Sequence, residues 1–346
     1  MMLRYGIVGC GNISRFHFNA LKQMGATITC VADVNLEAAE KRAAEFGARA
    51  VQDYHDLVTA DDVDVVTIAC AGVVHKDIAL AAIAAGKAVI CEKTMTTSQE
   101  EAYEVAQAVK KAGTPFYVCY MKRFFSAEKK LKELLPSIGK VFAASARSYQ
   151  AWGNFYTPDH GWNMDAILGG YGGAVTNCAG SHVLDMILNL FGRPESVYAN
   201  INYYPDTKFD RKATAIFEYP DDKTVQFETY AHPLKRIGYE RNSWDEGIQI
   251  TGTNGRLELY TVMWDHPENN GVLLVHYDNE TETSTEYRFP AENPFTMELT
   301  QFNVWLEEGR QEAPSYVDGY NVDTLLSHMY RSAEEHKSLI IDWKDV

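Results

Sequence analysis

No stretch of this 346-residue sequence is apolar for the uninterrupted length that a membrane span requires, and it holds no CxxC pair, internal repeat or low-complexity segment. Cations are in deficit: 32 Lys and Arg stand against 47 Asp and Glu, a formal net charge of -15. A sequence-independent grip on nucleic acid or on an anionic membrane depends on clustered Lys and Arg, so neither partner is expected. Met1-Met2-Leu3-Arg4 leads straight into an apolar strand, with no basic segment, hydrophobic stretch and cleavage site, which points to the cytoplasm. The six cysteines (Cys10, Cys30, Cys70, Cys91, Cys119 and Cys178) are spread over apolar strands and glycine-rich turns. That spread reads as reduced thiols, and no ligand spacing supports a metal. At this length one core stops growing, so two domains are expected, and a 46% hydrophobic composition supplies both.

What is present begins at the first residues. An apolar run, Leu3 to Val8, ends in Gly9-Cys10-Gly11-Asn12-Ile13-Ser14, and a helical pattern follows over Arg15 to Met24 and stops at Gly25. This is the strand, tight turn and helix of a dinucleotide pyrophosphate site. Gly9 allows the turn, Gly11 lets the backbone approach the anion, and the helix start at Asn12 and Ile13 presents N–H groups. Asp33 ends the second strand, Thr27 to Val31, where an acid accepts bonds from a ribose. It also repels a 2'-phosphate, and Val34 offers no cation, so NAD is expected in preference to NADP. A purely structural glycine turn is the alternative.

Strands and helices continue to alternate: helix Leu36 to Phe46, strand Val63 to Cys70, helix His75 to Ala85, strand Ala88 to Cys91, a helix capped by Thr97, and strand Pro115 to Cys119. Short connections between βα units imply a mostly parallel sheet with ligands beyond the carboxyl ends of its strands. After a helix over Ser126 to Leu135 the pattern becomes β-like. Strands are read at Val141 to Tyr149, Ser196 to Tyr203, Ala213 to Tyr219, Thr224 to Ala231, Ile248 to Thr251, Arg256 to Tyr260, Gly271 to Tyr277 and Thr283 to Phe289. Their turns predict much antiparallel pairing. Helices are read at His182 to Phe191, Phe295 to Leu306 and Asn321 to His336.

Three further stretches narrow the reading. Ala71-Gly72-Val73-Val74-His75 with Gly86-Lys87-Ala88-Val89-Ile90-Cys91-Glu92-Lys93-Thr94, then Arg123-Phe124, then Gly180-Ser181-His182-Val183-Leu184-Asp185 arrive in one order. Together with the glycine turn they resemble the glucose-fructose oxidoreductase and inositol dehydrogenase (Gfo/Idh/MocA) family. The resemblance implies an α/β Rossmann domain over residues 1–122 and an α+β domain over 123–346. The second would be built on an open, mostly antiparallel sheet, with the last helix a candidate to pack on the first domain. It also implies a sugar or cyclitol substrate, a homo-oligomer (dimer or tetramer), and a cofactor site that includes Ala71, His75, Glu92 and Lys93. Arg123 and Asp185 are implied substrate contacts.

The chemistry can be read beside the resemblance. Lys93, after an apolar strand, can hydrogen-bond a reacting oxygen and stabilise charge there; the alternative is a surface lysine paired with Glu92. His182 suits an alcohol proton because imidazole titrates near working pH, and a structural histidine is the alternative. Asp185, one turn along, is placed to orient that ring, to touch substrate, or to stand as an ordinary helix-face acid. Two departures matter. Thr94 replaces the proline of the family's Glu-Lys-Pro, and Cys178 stands where many members carry an aspartate four residues before the histidine, with Asn177 beside it, and both are counted among the candidate substrate contacts. Cys178 reads as a packing residue more readily than as a nucleophile. Trp152, Phe155, Tyr156 and His160 suit stacking on a sugar ring or burial against a neighbouring subunit, and Trp162, Asn163 and Asp165 follow as candidate substrate contacts. The expected activity is hydride transfer between nicotinamide and a secondary alcohol or ketone. Redox-neutral sugar chemistry through transient oxidation is one rival, and a non-catalytic NAD and ligand sensor is another.

Overall fold

The computed structural model describes residues 3–151, 174–261 and 271–346. They form two compact units, one made of residues 1–121, 295–323 and 344–346, the other of residues 122–294 and 324–343.

The first unit carries a six-stranded parallel sheet of β1 (Arg4–Val8), β2 (Thr27–Ala32), β3 (Arg49–Val51), β4 (Val65–Ile68), β5 (Ala88–Cys91) and β6 (Phe116–Val118) in the order β3-β2-β1-β4-β5-β6. The interior strands are buried along their length: Tyr5, Ile7, Val65, Val66, Ile68, Val89, Ile90 and Cys91 expose nothing. Such runs are what a parallel sheet covered on both faces requires. Helices α1 (Ser14–Gln23), α2 (Leu36–Ala44), α3 (Tyr54–Val58), α4 (His75–Ala84) and α5 (Gln99–Ala112) make the crossovers. The strand order reverses direction between β1 and β4, which sets the ligand crevice at the carboxyl ends of those strands.

One cap differs from expectation. Ser98, not Thr97, caps α5 by accepting the Glu101 N–H at 3.2 Å, while the Thr97 hydroxyl donates to the Glu101 carboxylate at 2.6 Å. Glu101 is thus used twice, and the true cap sits one residue later. The unit also includes most of α8 (Pro294–Glu307), where Phe302 stacks on Tyr117 at 4.8 Å between centroids.

The second unit is built on a nine-stranded sheet. Its strands are β7 (Val141–Gln150), β8 (Ser196–Tyr203), β9 (Asp210–Glu218), β10 (Thr224–Ala231), β11 (Trp244–Gly252), β12 (Gly255–Thr261), β13 (Leu273–Asp278), β14 (Thr283–Arg288) and β15 (Leu339–Ile340). They run in the order β14-β13-β12-β11-β7-β10-β9-β8-β15, and all pairs are antiparallel except β7 with β10. Burial alternates along the strands. In β10, Val225, Phe227, Thr229 and Ala231 point inward while Thr224 and Gln226 are exposed, the period of a sheet covered on one face. Helices α6 (Ser126–Leu134) and α7 (Ser181–Phe191) cover that face, with the later part of α9 (Tyr316–Glu335). α9 starts five residues before the expected position because Ser315 and Asp318 cap each other: the Ser315 N–H donates to the Asp318 carboxylate at 2.7 Å, and the Val317 N–H donates to Ser315 Oγ. Among the described residues no helix is long and apolar enough to cross a membrane.

Candidate active site

In the first unit the glycine turn leaves β1 with Gly9 at φ +108, and a Cβ there would lie 2.4 Å from the Ala69 carbonyl oxygen, so only glycine lets β1 and β4 end side by side. Ser14 is buried and its hydroxyl donates to the Gly11 carbonyl at 2.8 Å, closing the turn. A Cβ on Gly11 would meet no atom of the described residues within 4 Å, so their packing does not demand this glycine. Ile13 caps α1 without a side-chain hydrogen bond, and the first turn carries no acid, so no carboxylate there opposes the approach of an anion. Asp33 receives the Cys10 N–H on one oxygen at 2.7 Å and the Asn35 N–H on the other at 2.8 Å. Each oxygen keeps a lone pair for a ribose hydroxyl. An open helix start, an open glycine and an anchored acid on one sheet edge fit a dinucleotide.

The segment after β5 sits on the same edge. Glu92 is buried, and its Oε1 lies 2.7 Å from Nε2 of His17 on the inner face of α1. Burial alone would raise the Glu92 carboxyl; the His17 bond, the His17 and Lys93 charges and the Lys93 N–H outweigh it and hold it below its ordinary value. Lys93 is half-buried, its N–H donates to Glu92 Oε2 at 3.1 Å, and the peptide bond to Thr94 is cis. His75 is buried, with Nδ1 2.9 Å from the Thr94 carbonyl and Nε2 3.3 Å from the Cys70 carbonyl. Its ring is therefore engaged with backbone, while Ala71 precedes the short helical turn Gly72–Val74. Cys119 joins His17 and Glu92 in a buried group whose donor atoms lie within 4.8 Å of one another. Burial pushes that thiol well above its usual range, and the nearby Glu298 and Glu92 carboxylates push it further.

In the second unit the run from Ala174 to Leu188 is buried except at Cys178 and His182. A π-helical turn, Thr176–Gly180, leads into α7, so these two side chains, four residues apart, form the half-buried stripe of an otherwise interior segment. Asp210 of β9 anchors the start of the turn by accepting the Ala174 N–H and, at 3.0 Å, the Thr176 N–H. Asn177 is buried and accepts from the Tyr330 hydroxyl at 2.9 Å. Asp185 meets Arg123 in a two-pronged pair, Nε to Oδ2 at 2.8 Å and Nη2 to Oδ1 at 2.6 Å. The two implied substrate contacts thus hold each other.

Beside them, Lys122 is bonded to Glu246, which also accepts from Ser148 and Thr261. Burial pushes Lys122 down to about 8 and Glu128 up to about 7. This buried charge network and His17 both escaped the sequence reading. His17 had a signal, since it falls on the apolar stripe of α1 with Ser14, Phe18 and Leu21. Trp152, Phe155, Tyr156, His160, Trp162, Asn163 and Asp165 lie outside the described residues. All six cysteines are thiols, with Cys10, Cys70 and Cys178 half-buried and the others buried.

The strand order and the open glycine turn define a Rossmann dinucleotide-binding unit. Residues 3–120 match the model of the Gfo/Idh/MocA oxidoreductase family with NAD-binding Rossmann fold, and residues 129–258 match the Gfo/Idh/MocA C-terminal domain, so the chain belongs to that family. An inositol 2-dehydrogenase of Klebsiella pneumoniae (strain 342) is 27% identical over 333 residues, covering 92% of this chain and 90% of that protein. Inositol 2-dehydrogenase 3 of Saccharopolyspora erythraea is 34% identical over 142 residues, 40% of this chain and 42% of that one. Among solved structures, a levoglucosan dehydrogenase in complex with NADH and levoglucosan shares the fold, with a TM-score of 0.83 and 21% identity over 99% of this chain and 100% of that chain. An Agrobacterium radiobacter oxidoreductase in complex with NAD+, L-tartaric acid and magnesium gives a TM-score of 0.82 at 19% identity over 99% of each chain.

Proposed function

We propose that this protein is an NAD-dependent dehydrogenase that oxidises a secondary alcohol of a sugar, sugar derivative or cyclitol, or reduces the matching ketone. The observation that carries the reading is Lys93: a half-buried cation at the end of β5, on the sheet edge where β1 and α1 leave a dinucleotide cradle. When bound, the nicotinamide supplies the hydride acceptor or donor. The Lys93 ammonium hydrogen-bonds the reacting oxygen and stabilises negative charge on it. His182 takes the hydroxyl proton in oxidation and returns it in reduction, a role supported by its place on the half-buried stripe of α7. Arg123 and Asp185 stiffen α7 behind that stripe, and Trp162, Asn163 and Asp165 bind substrate hydroxyls. Gly9, Gly11, Asn12 and Ile13 hold the pyrophosphate and Asp33 the ribose. Val34, 86% exposed beside Asp33, offers no partner to a 2'-phosphate, which supports NAD over NADP.

The sugar and cyclitol class is supported by the relatives named for inositol and levoglucosan. Tyr198 and Ile216, paired across β8 and β9 and both exposed, support association into a dimer or tetramer, which light scattering measures. The deciding experiment follows reduced nicotinamide with NAD or NADP against pooled sugars, sugar acids and cyclitols. Signal with NAD, lost in Lys93→Ala and His182→Ala, is the expected result. Sugar conversion without accumulation of reduced cofactor would assign redox-neutral chemistry instead. NAD binding with no turnover, and a cellular function indifferent to Lys93→Ala, would assign a sensor.

A further inference from the structure

The residues on either side of Lys93 are held by two buried histidines: His17, which no role above uses, and His75, so far only an implied neighbour of the cofactor. On one side His17 bonds Glu92 at 2.7 Å, and the other oxygen of Glu92 accepts the Lys93 N–H at 3.1 Å. On the other side His75 reaches the carbonyl of Thr94 at 2.9 Å. His17 stands on α1, the helix whose N-terminus faces the anion, and His75 opens α4 after β4, so the residues flanking Lys93 are tied to both walls of the crevice. We propose that His17 and His75 are positioning residues that fix the Lys93 ammonium for the dehydrogenase reaction, an inference that rests on the function proposed above.

Packing alone does not call for these rings. Nδ1 of His17 is buried with no hydrogen-bond partner among the described residues, a cost that a leucine of similar size avoids. His75 carries one proton when neutral and faces two carbonyls, so it donates to one and leaves the other unanswered by the ring. What each ring gains is a fixed backbone beside Lys93. A displacement of about 1 Å at a reacting group costs about 100-fold in rate, so a grip on this segment has catalytic value. A metal held by His17, Glu92 and Cys119 is the competing use of the same donors. The His17–Glu92 hydrogen bond, which already occupies a donor atom of each, favours the grip.

The test uses the full-length protein and the variants His17→Leu, His75→Leu, His17→Gln and His75→Asn; the amides of the last two keep a donor near Nε2 of His17 and Nδ1 of His75. Two readouts are combined: hydrogen exchange of peptides covering residues 92–95, and kcat with NAD affinity measured by titration. The leucine variants are expected to speed exchange roughly 10-fold and to lower kcat roughly 10- to 100-fold, with NAD affinity within about 3-fold of wild type. The amide variants should recover most of both. Unchanged kcat in the leucine variants, a fall in NAD affinity as large as the fall in kcat, or stoichiometric zinc lost in His17→Leu would each overturn the proposal. If no alcohol is turned over by wild type, the function proposed above fails while the exchange data still decide whether the grip exists. If His17→Leu does not fold, His75→Leu against His75→Asn carries the same comparison.

Discussion

Arg123 and Asp185 offer a perturbation whose size can be worked out beforehand. Their side chains are 8% and 1% exposed and share two bonds of 2.8 and 2.6 Å, so solvent screens the pair very little. Removing one partner strands a buried charge and costs about 3–5 kcal/mol, whereas replacing both with apolar groups is often close to neutral. Arg123→Leu therefore leaves the Asp185 carboxylate near Glu128, whose own carboxyl is already pushed up to about 7 by burial and, less, by Asp185. A unit of this size loses roughly 2–4 °C per kcal/mol, so the single variant should lower Tm by roughly 6–20 °C. The double variant Arg123→Leu with Asp185→Leu should regain most of that loss. Scanning calorimetry of the four proteins gives the coupling energy directly. A single variant that costs under about 1 kcal/mol, or a double variant that loses the sum of the two singles, would falsify the reasoning, because the two charges would then not depend on each other.

Three further outcomes are expected. Gly9→Ala should lose about 1–3 kcal/mol of stability from the forced positive φ alone, more from the contact with Ala69, and should weaken NAD binding in a calorimetric titration. Glu92→Gln has a pH signature. Folding holds the Glu92 carboxyl below its ordinary 4.5, so its stabilising effect is fully present above about 4.5 and is lost as pH falls through the lower folded value. The Tm gap between wild type and Glu92→Gln should therefore shrink below about pH 4.5, and a gap that widens with acid would contradict it. Asp33→Ser with Val34→Arg should raise the ratio of NADP to NAD efficiency by roughly 10-fold or more, since it removes a repelling charge and supplies an attracting one. An unchanged ratio would mean that neither residue reads the ribose.

The first unit was legible because its signals are local. Gly9, Gly25, Gly47, Gly86 and Gly113, all at positive φ, punctuate the βα repeat, and β5 and the start of α4 fall where the apolar runs and glycines place them. The short helix α3 was not read, since Tyr54–Val58 is too brief for a periodicity and is capped by Asp53 alone. The strands of the second unit were recovered from period-2 alternation, and Thr224–Ala231 matches the expectation residue for residue. Their mostly antiparallel sense was expected as well, but which strand pairs with which was not. Nothing local tells Ala144 that its neighbour is Val225 in a parallel register, or that Leu339 and Ile340 close the sheet against β8. Such contacts are set by which surfaces can be buried together, and that is a property of the whole sheet.

The segment before His182 shows where local reasoning stops and why the stop has a functional meaning. From sequence a helix is read over His182 to Phe191, apolar along one face and ended by Gly192. In the fold helical structure continues back to Thr176, with a π-helical turn absorbing the irregularity. The device that permits this is Asp210, 34 residues away from Thr176 in the chain, which satisfies the N–H groups of Ala174 and Thr176 that a helix start leaves open. Gly180 then serves packing, since a Cβ there would stand 3.0 Å from Phe227 of β10. The widened turn rotates Cys178 onto the side of His182 while its neighbours stay buried. Asp210→Ala should therefore release the turn and disturb the His182 stripe without touching any residue on it. Faster hydrogen exchange over residues 174–182 with the β9 and β10 peptides unchanged is the expected pattern, and equal loss of protection throughout the sheet would show that Asp210 supports the unit as a whole.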